Sequence, residues 1–207
     1  MLLLVGQIMI NNEQATMLLL VGQIMINNGD VVLAKMLFDA DAAGVYSVVA
    51  LVGRAIFFLS WSVVTAAFPM AAKANAAERR ALRRRAVRTV AAMSTLMTLA
   101  VALLAPPLTP IVFGDAYATA AGLFLPYAIA TSLFAVANVM ASLSAAQGDR
   151  RTPTVIIGGA VGQTVLLLAF ADDPTRMVWL QVLAMGLLLV ITAWVSRPVT
   201  VVRSRQR

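Results

Sequence analysis

The sequence predicts an all-α integral membrane protein, a bundle of six transmembrane helices. Three observations lead there. Of 207 residues, 61% are hydrophobic and 12% charged, whereas soluble domains are near half apolar and one quarter charged. The mean hydropathy is +0.88, and the apolar residues fall in runs close to the roughly 20 that cross a bilayer. Most Lys and Arg sit in three clusters, 73–88, 150–151 and 197–207, each beside an apolar run, as cytoplasmic loops do under the positive-inside rule. The formal net charge of +7 therefore marks loops beside a membrane. A nucleic-acid partner is not expected, because that needs a soluble basic face.

The chain has no Cys and no His. Disulfides and Cys/His metal sites are excluded, as are Ser-His-Asp and Cys-His nucleophile systems. No cofactor, metal or enzymatic activity is expected.

Residues 1–12 and 17–28 are identical, MLLLVGQIMINN twice at an offset of sixteen. Solenoid repeats have periods of about 20 to 50 residues, so this reads as a local duplication or as an assembly or start-site error. The first copy lacks the basic n-region and small-residue cleavage site of a signal peptide, and its apolar run is too short to cross a bilayer. One helix over 2–38 would be about 55 Å long, against a hydrocarbon core of about 30 Å. Segment 1–16 is thus expected to lie at the cytoplasmic interface or to extend a helix out of the membrane.

The first span covers 17–38, with a polar turn over 39–44. The second covers 45–68 and is expected to end at Pro69. Residues 73–88 are helix-favouring and basic, a solvated loop helix beside anionic headgroups, where each basic residue adds about 1 kcal/mol. The third span covers 90–104. Pro106, Pro107 and Pro110 are expected to break it, since proline removes a donor and clashes with the preceding turn. Residues 111–117 then form a short interfacial return. The fourth span, 120–145, has Pro126 near its outer end, where a kink is tolerated. Residues 147–153 form a polar turn. The fifth span is 154–170, 171–175 turn the chain back, and the sixth is 177–195. Trp179 and Trp194 lie near the ends of the sixth span, where aromatic anchors are favoured. Residues 197–207 form a basic tail.

Two spans separate each basic cluster from the next, so all three fall on one side. The opposite loops hold Asp39, Asp41, Asp115, Asp172 and Asp173, with Arg176 as the basic exception. Both termini are expected in the cytoplasm. In the fifth span Gly158 and Gly162 form a G-x-x-x-G pair, expected to pack against another helix of the same chain rather than to dimerise.

Residues 27–69 carry charge where lipid disfavours it. Asp30 lies eight residues before Phe38, about 12 Å from the outer end, and Arg54 lies ten after Gly44, about 15 Å down the second helix. Similar depth allows a buried ion pair, which would neutralise both charges. Alternatively, Arg54 lines a cavity and attracts an anionic phosphate, for which its planar fork is suited. Intramembrane charge marks a functional site by default. Lys35, nearer the outer end, can snorkel to the interface. Asn27 and Asn28 are placed to hydrogen-bond across helices or to bend the span around Gly29, and Gln163 to act similarly in the fifth helix. The candidate substrate-binding residues are Arg54, Lys35, Asp30 and Asn28.

The run Asn28-Gly29-Asp30-Val31-Val32-Leu33-Ala34-Lys35 is followed by Ala43-Gly44-Val45-Tyr46, Gly53-Arg54-Ala55-Ile56 and Phe68-Pro69. Further on come Phe113-Gly114-Asp115-Ala116-Tyr117 and Ala146-Gln147-Gly148-Asp149. In this order the motifs resemble polysaccharide-biosynthesis exporters of the multidrug/oligosaccharidyl-lipid/polysaccharide flippase superfamily, over most of residues 17–153. The resemblance implies a transporter of twelve or fourteen helices, two six-helix lobes around a central cavity. It implies movement of an undecaprenyl-diphosphate-linked saccharide across the plasma membrane by alternating access. Basic cavity residues would meet the diphosphate, and Arg54 and Lys35 stand at such positions. This chain departs from the family in having six spans, and so resembles the C-terminal lobe alone. The expected partners are membrane lipid, the lipid-linked saccharide and a missing or separate N-terminal six-helix lobe; the chain is expected to be a gene fragment, a split subunit or a truncated copy. The alternatives are a drug or cation antiporter of the same superfamily, and a non-transporting membrane scaffold. An antiporter would want several acidic residues within the spans, and Asp30 is the only one.

Overall fold

The structure is a computed structural model describing residues 2–196, with side chains from 13 to 114 and from 117 to 196. The basic tail 197–207 and the side chains of the first repeat copy lie outside the described residues. Six helices follow one another: α1 (Leu2–Leu37), α2 (Ala40–Lys73), α3 (Ala76–Phe113), α4 (Ala121–Ala145), α5 (Arg151–Phe170) and α6 (Pro174–Val195), with a short 3-10 helix (Asp115–Ala120) before α4. Each of the six is long and apolar enough to cross a membrane. The chain is a multi-pass membrane protein with the all-α, six-helix architecture expected.

Several boundaries differ from those expected. Helix α1 is continuous through both copies of the repeat and past Gly29. Helix α2 takes in the predicted turn, starting at Ala40 with Asp39 as its cap; the Asp39 carboxylate accepts from Ala42 N at 2.8 Å. It also passes through Pro69 and ends at Lys73. The basic run is no separate loop helix, because only Ala74 and Asn75 interrupt the chain before α3 begins. Asn75 accepts from Ala77 N and Glu78 N at 3.0 Å, and Glu78 accepts from Asn75 N at 2.9 Å. This capping box satisfies orphan donors at both partners. Asn75→Ala is expected to cost about 1 kcal/mol, seen as faster hydrogen exchange in the first turn of α3.

The three prolines do not break α3, which runs to Phe113. Membrane helices tolerate proline where neighbouring groups and local adjustment serve the freed carbonyls, which here are those of Ala102, Leu103 and Pro106. The break comes at Gly114, whose φ of +86° disfavours a side chain. Helix α5 starts at Arg151, because Pro153 falls in a first turn where its missing N–H is not needed. Helix α6 opens on Pro174 with Asp173 as cap, accepting from Arg176 N at 2.9 Å.

Helix α4 is the hub, packed on α2, α3 and α6, while α1 packs chiefly on α5. In the most apolar part of each span, 61% of the residues are buried in α4 and 11% in α3. An all-round apolar helix at the centre and an outward-facing one at the rim follow from this difference. Leu96, Leu99 and Leu103 of α3 are exposed. Glycines set the closest approaches. A Cβ on Gly22 would lie 2.9 Å from Ile156 Cγ2, bringing α1 against α5, and one on Gly159 would lie 2.6 Å from Leu188 Cδ1 of α6. Gly158 and Gly162 are exposed, with nothing within 4 Å of a Cβ at either. The expected intramolecular packing of that pair is therefore corrected: the contact falls at Gly159, about 100° around the helix from Gly158.

The basic loops meet at one end of the bundle. Arg79, Arg80 and Arg83 of α3, Gln147 of the α4–α5 connection, Arg151 at the start of α5, and Ser196 after α6 line one recess. Arg83 donates to the Ser196 carbonyl at 2.6 Å and to its hydroxyl. At the other end Gly44 packs near Tyr117, and Ala171 joins a cluster with Phe38 and Ala120. That end carries Asp39, Asp41, Asp172 and Asp173.

Candidate functional site

Four helices deliver polar side chains to one level. Asp30 is seven residues from the end of α1, Tyr46 six into α2, Tyr127 six into α4 and Gln181 seven into α6, each about 10 Å inside the acidic end at helical rise. There they converge. The Asp30 Oδ2 accepts from Tyr46 Oη at 2.9 Å, from Tyr127 Oη at 2.6 Å and from Gln181 Nε2 at 2.8 Å. Gln181 Nε2 also donates to Tyr46 Oη at 2.6 Å, and the two tyrosine rings meet edge to face with centroids 5.9 Å apart. Asp30 is 1% exposed and its Oδ1 has no partner. Burial of a carboxylate is costly unless its oxygens are hydrogen-bonded, and three donors on one oxygen supply that for half of the group.

Asp30 and Arg54 form no ion pair; among the described residues the one salt bridge joins Arg176 to Asp172. The reason is depth. With α2 beginning at Ala40 rather than after Gly44, Arg54 lies fourteen residues in, about 21 Å. That places it about two turns deeper than Asp30. Arg54 is half-buried, it forms no hydrogen bond among the described residues, and its Nε is buried without a partner. It faces a recess of about 260 Å³ between α1 and α2, lined by Gln23, Asn27, Asn28, Phe57, Phe58 and Trp61. Behind it a cavity of about 10 Å³ separates Arg54 from Tyr127 and Gln181, room for about one water at most. The Asp30 cluster and the Arg54 recess are thus two sites, the first closed and the second open.

Of the four predicted residues, Arg54 and Asn28 share the open recess. Asp30 sits in the closed cluster, and Lys35 is exposed near the end of α1 and lines neither. Asn27 and Asn28 do not reach across helices. Their amides donate to the carbonyls of Gln23 and Ile24 on their own helix, at 2.9 and 3.0 Å. The inter-helix bond belongs to Gln23, whose Nε2 donates to Asn138 Oδ1 of α4 at 2.5 Å. Gln163 is buried with its Oε1 unpartnered. Sequence reasoning passed over Gln23, Tyr46, Tyr127, Asn138 and Gln181. All five are hydrogen-bonding side chains inside apolar runs, which is the signal that would have found them.

Comparison of the chain with protein-family models, with curated proteins and with solved structures finds no match.

Proposed function

We propose that the chain is one lobe of a transporter that moves an amphiphile with an anionic, diphosphate-like head across the plasma membrane, in the class of lipid-linked saccharides. The observation that carries this reading is Arg54. A guanidinium without a partner, deep in a membrane-spanning helix, is expensive unless it faces a cavity or a ligand. Its recess joins that charge to the amides of Asn28 and Gln23 and to the rings of Phe57, Phe58 and Trp61. Phosphate suits the planar guanidinium fork, and the rings suit an isoprenoid or acyl stem. The α1–α2 groove would be one wall of the path, and a second six-helix lobe the other. The basic end, by the positive-inside rule, faces the cytoplasm.

The test is flipping of a fluorescent lipid-diphosphate saccharide in vesicles holding the chain and a companion six-helix lobe. Arg54→Ala is expected to lower the rate at least about tenfold, the loss of one charge-assisted contact, with membrane insertion unchanged. Arg54→Lys should restore part of it, since a point charge lacks the fork. Absence of flipping with every companion would sink the transport reading and leave a non-transporting scaffold.

A second reading, a cation-coupled antiporter, is favoured by the buried, unpartnered Oδ1 of Asp30. It requires export that follows a Na⁺ or proton gradient and is abolished in Asp30→Asn.

A further inference from the structure

We infer that the basic end of the bundle holds a site for the phosphate headgroup of an anionic phospholipid. The site is a recess of about 450 Å³ formed by three separated parts of the chain. Arg79, Arg80 and Arg83 come from the first two turns of α3, and Arg151 opens α5. Four guanidinium groups face a single carboxylate, Asp149, which is engaged with the backbone N of Arg151 at 3.0 Å. Among the described residues none of the four is in a salt bridge.

The arginines have different tasks. Arg83 is spent on Ser196, tying α3 to the end of α6 and fixing the back of the recess. Arg79 is half-buried and donates its Nε to Ala74 O at 2.8 Å, which orients the rest of its guanidinium. Arg80 and Arg151 are exposed at the mouth. Guanidinium groups from two segments can grip a phosphate through paired, charge-assisted hydrogen bonds.

The choice of a lipid over free phosphate rests on the other wall. Ala76 of α3, which is exposed, and Val195 of α6, which is half-buried, line the same recess, giving an apolar surface for the glycerol and the first methylenes beside the polar one. Basic pockets between helices at this membrane face are where anionic headgroups bind. A merely positive loop would have no such shape, and its charges would act interchangeably.

That difference is the test. The full chain is purified in detergent, and native mass spectrometry counts retained phosphatidylglycerol and phosphatidylcholine. One phosphatidylglycerol per chain is expected, retained in preference to phosphatidylcholine. Arg80→Gln with Arg151→Gln should reduce retention about tenfold, as removal of two charge-assisted contacts implies. Arg84→Gln with Arg88→Gln, which removes the same charge from the same basic region outside the recess, should leave it within about twofold. Equal losses in the two double variants would overturn the site in favour of a diffuse field. Equal retention of the two lipids would overturn it as well. Displacement of the lipid by millimolar inorganic phosphate that is itself retained would assign the recess to a soluble phosphate instead.

Discussion

Gly53→Ala is expected to destabilise the bundle by about 3 kcal/mol or more, the upper range for overpacking by one methyl group. A Cβ at this position would lie 2.1 Å from Tyr127 Cε1, 2.6 Å from Cδ1 and 2.7 Å from Thr131 Oγ1. The ring cannot yield freely. Tyr127 is 5% exposed, its edge contacts Tyr46, and its hydroxyl is held on Asp30. Either α2 lifts away from α4, the central helix of the bundle, or the ring swings and gives up the carboxylate. Thermal unfolding in detergent reads the loss. Gly158→Ala and Gly162→Ala are the controls, expected to be neutral or slightly stabilising, because nothing lies within 4 Å of a Cβ at either position and alanine favours helix. Gly53→Ala combined with Tyr127→Ala should show strong coupling, the second change removing the two closest contacts and leaving only the Thr131 hydroxyl against the new methyl group. If Gly53→Ala proves as stable as Gly158→Ala, α2 and α4 do not approach closely at Gly53.

Gly53 illustrates where sequence reading stops. The six spans were legible because apolarity is a local property, visible in any window of about 20 residues. The separation of basic from acidic loops was legible for the same reason, and the recess of Arg79, Arg83 and Arg151 bears out two of the three clusters meeting at one end. The register between helices was not. Asp30 takes its hydrogen bonds from residues 16, 97 and 151 positions away, and no local pattern encodes those distances. Even the nearest case failed for a small cause. Counting from Gly44 put Arg54 level with Asp30, and folding one further turn into α2 at Ala40 moved it past. The prolines misled in the same way. A rule learned in water broke α3 at Pro106, whereas in a span the alternative of free backbone is worse. The G-x-x-x-G pair was a correct pattern on the wrong side of its helix, since a motif reports spacing and not the direction it faces.

Asp30→Ala is expected to cost about 2 to 5 kcal/mol, and Asp30→Asn much less. The lower bound takes about 0.6 kcal/mol for each of three hydrogen bonds in a membrane bundle; the upper takes about 1 to 3 for a buried donor left unsatisfied. Removal of the carboxylate strands the hydroxyl protons of Tyr46 and Tyr127 and leaves the Gln181 amide only its bond to Tyr46 Oη, all within 5% of full burial. Asparagine keeps an oxygen where Oδ2 receives its three donors and puts its amide nitrogen where Oδ1 has no partner, so the cluster survives in shape while losing a carboxylate. The two substitutions therefore separate structure from chemistry. Unfolding measurements should rank wild type, Asn, then Ala. Transport should follow that ranking if Asp30 only ties four helices together. Loss of transport in a stably folded Asp30→Asn would instead give the carboxylate a part in coupling. Arg54→Ala should not rescue Asp30→Ala in either assay, because Arg54 stands about two turns deeper and makes no bond to Asp30. A rescue would restore the ion pair that the depth of the two residues argues against.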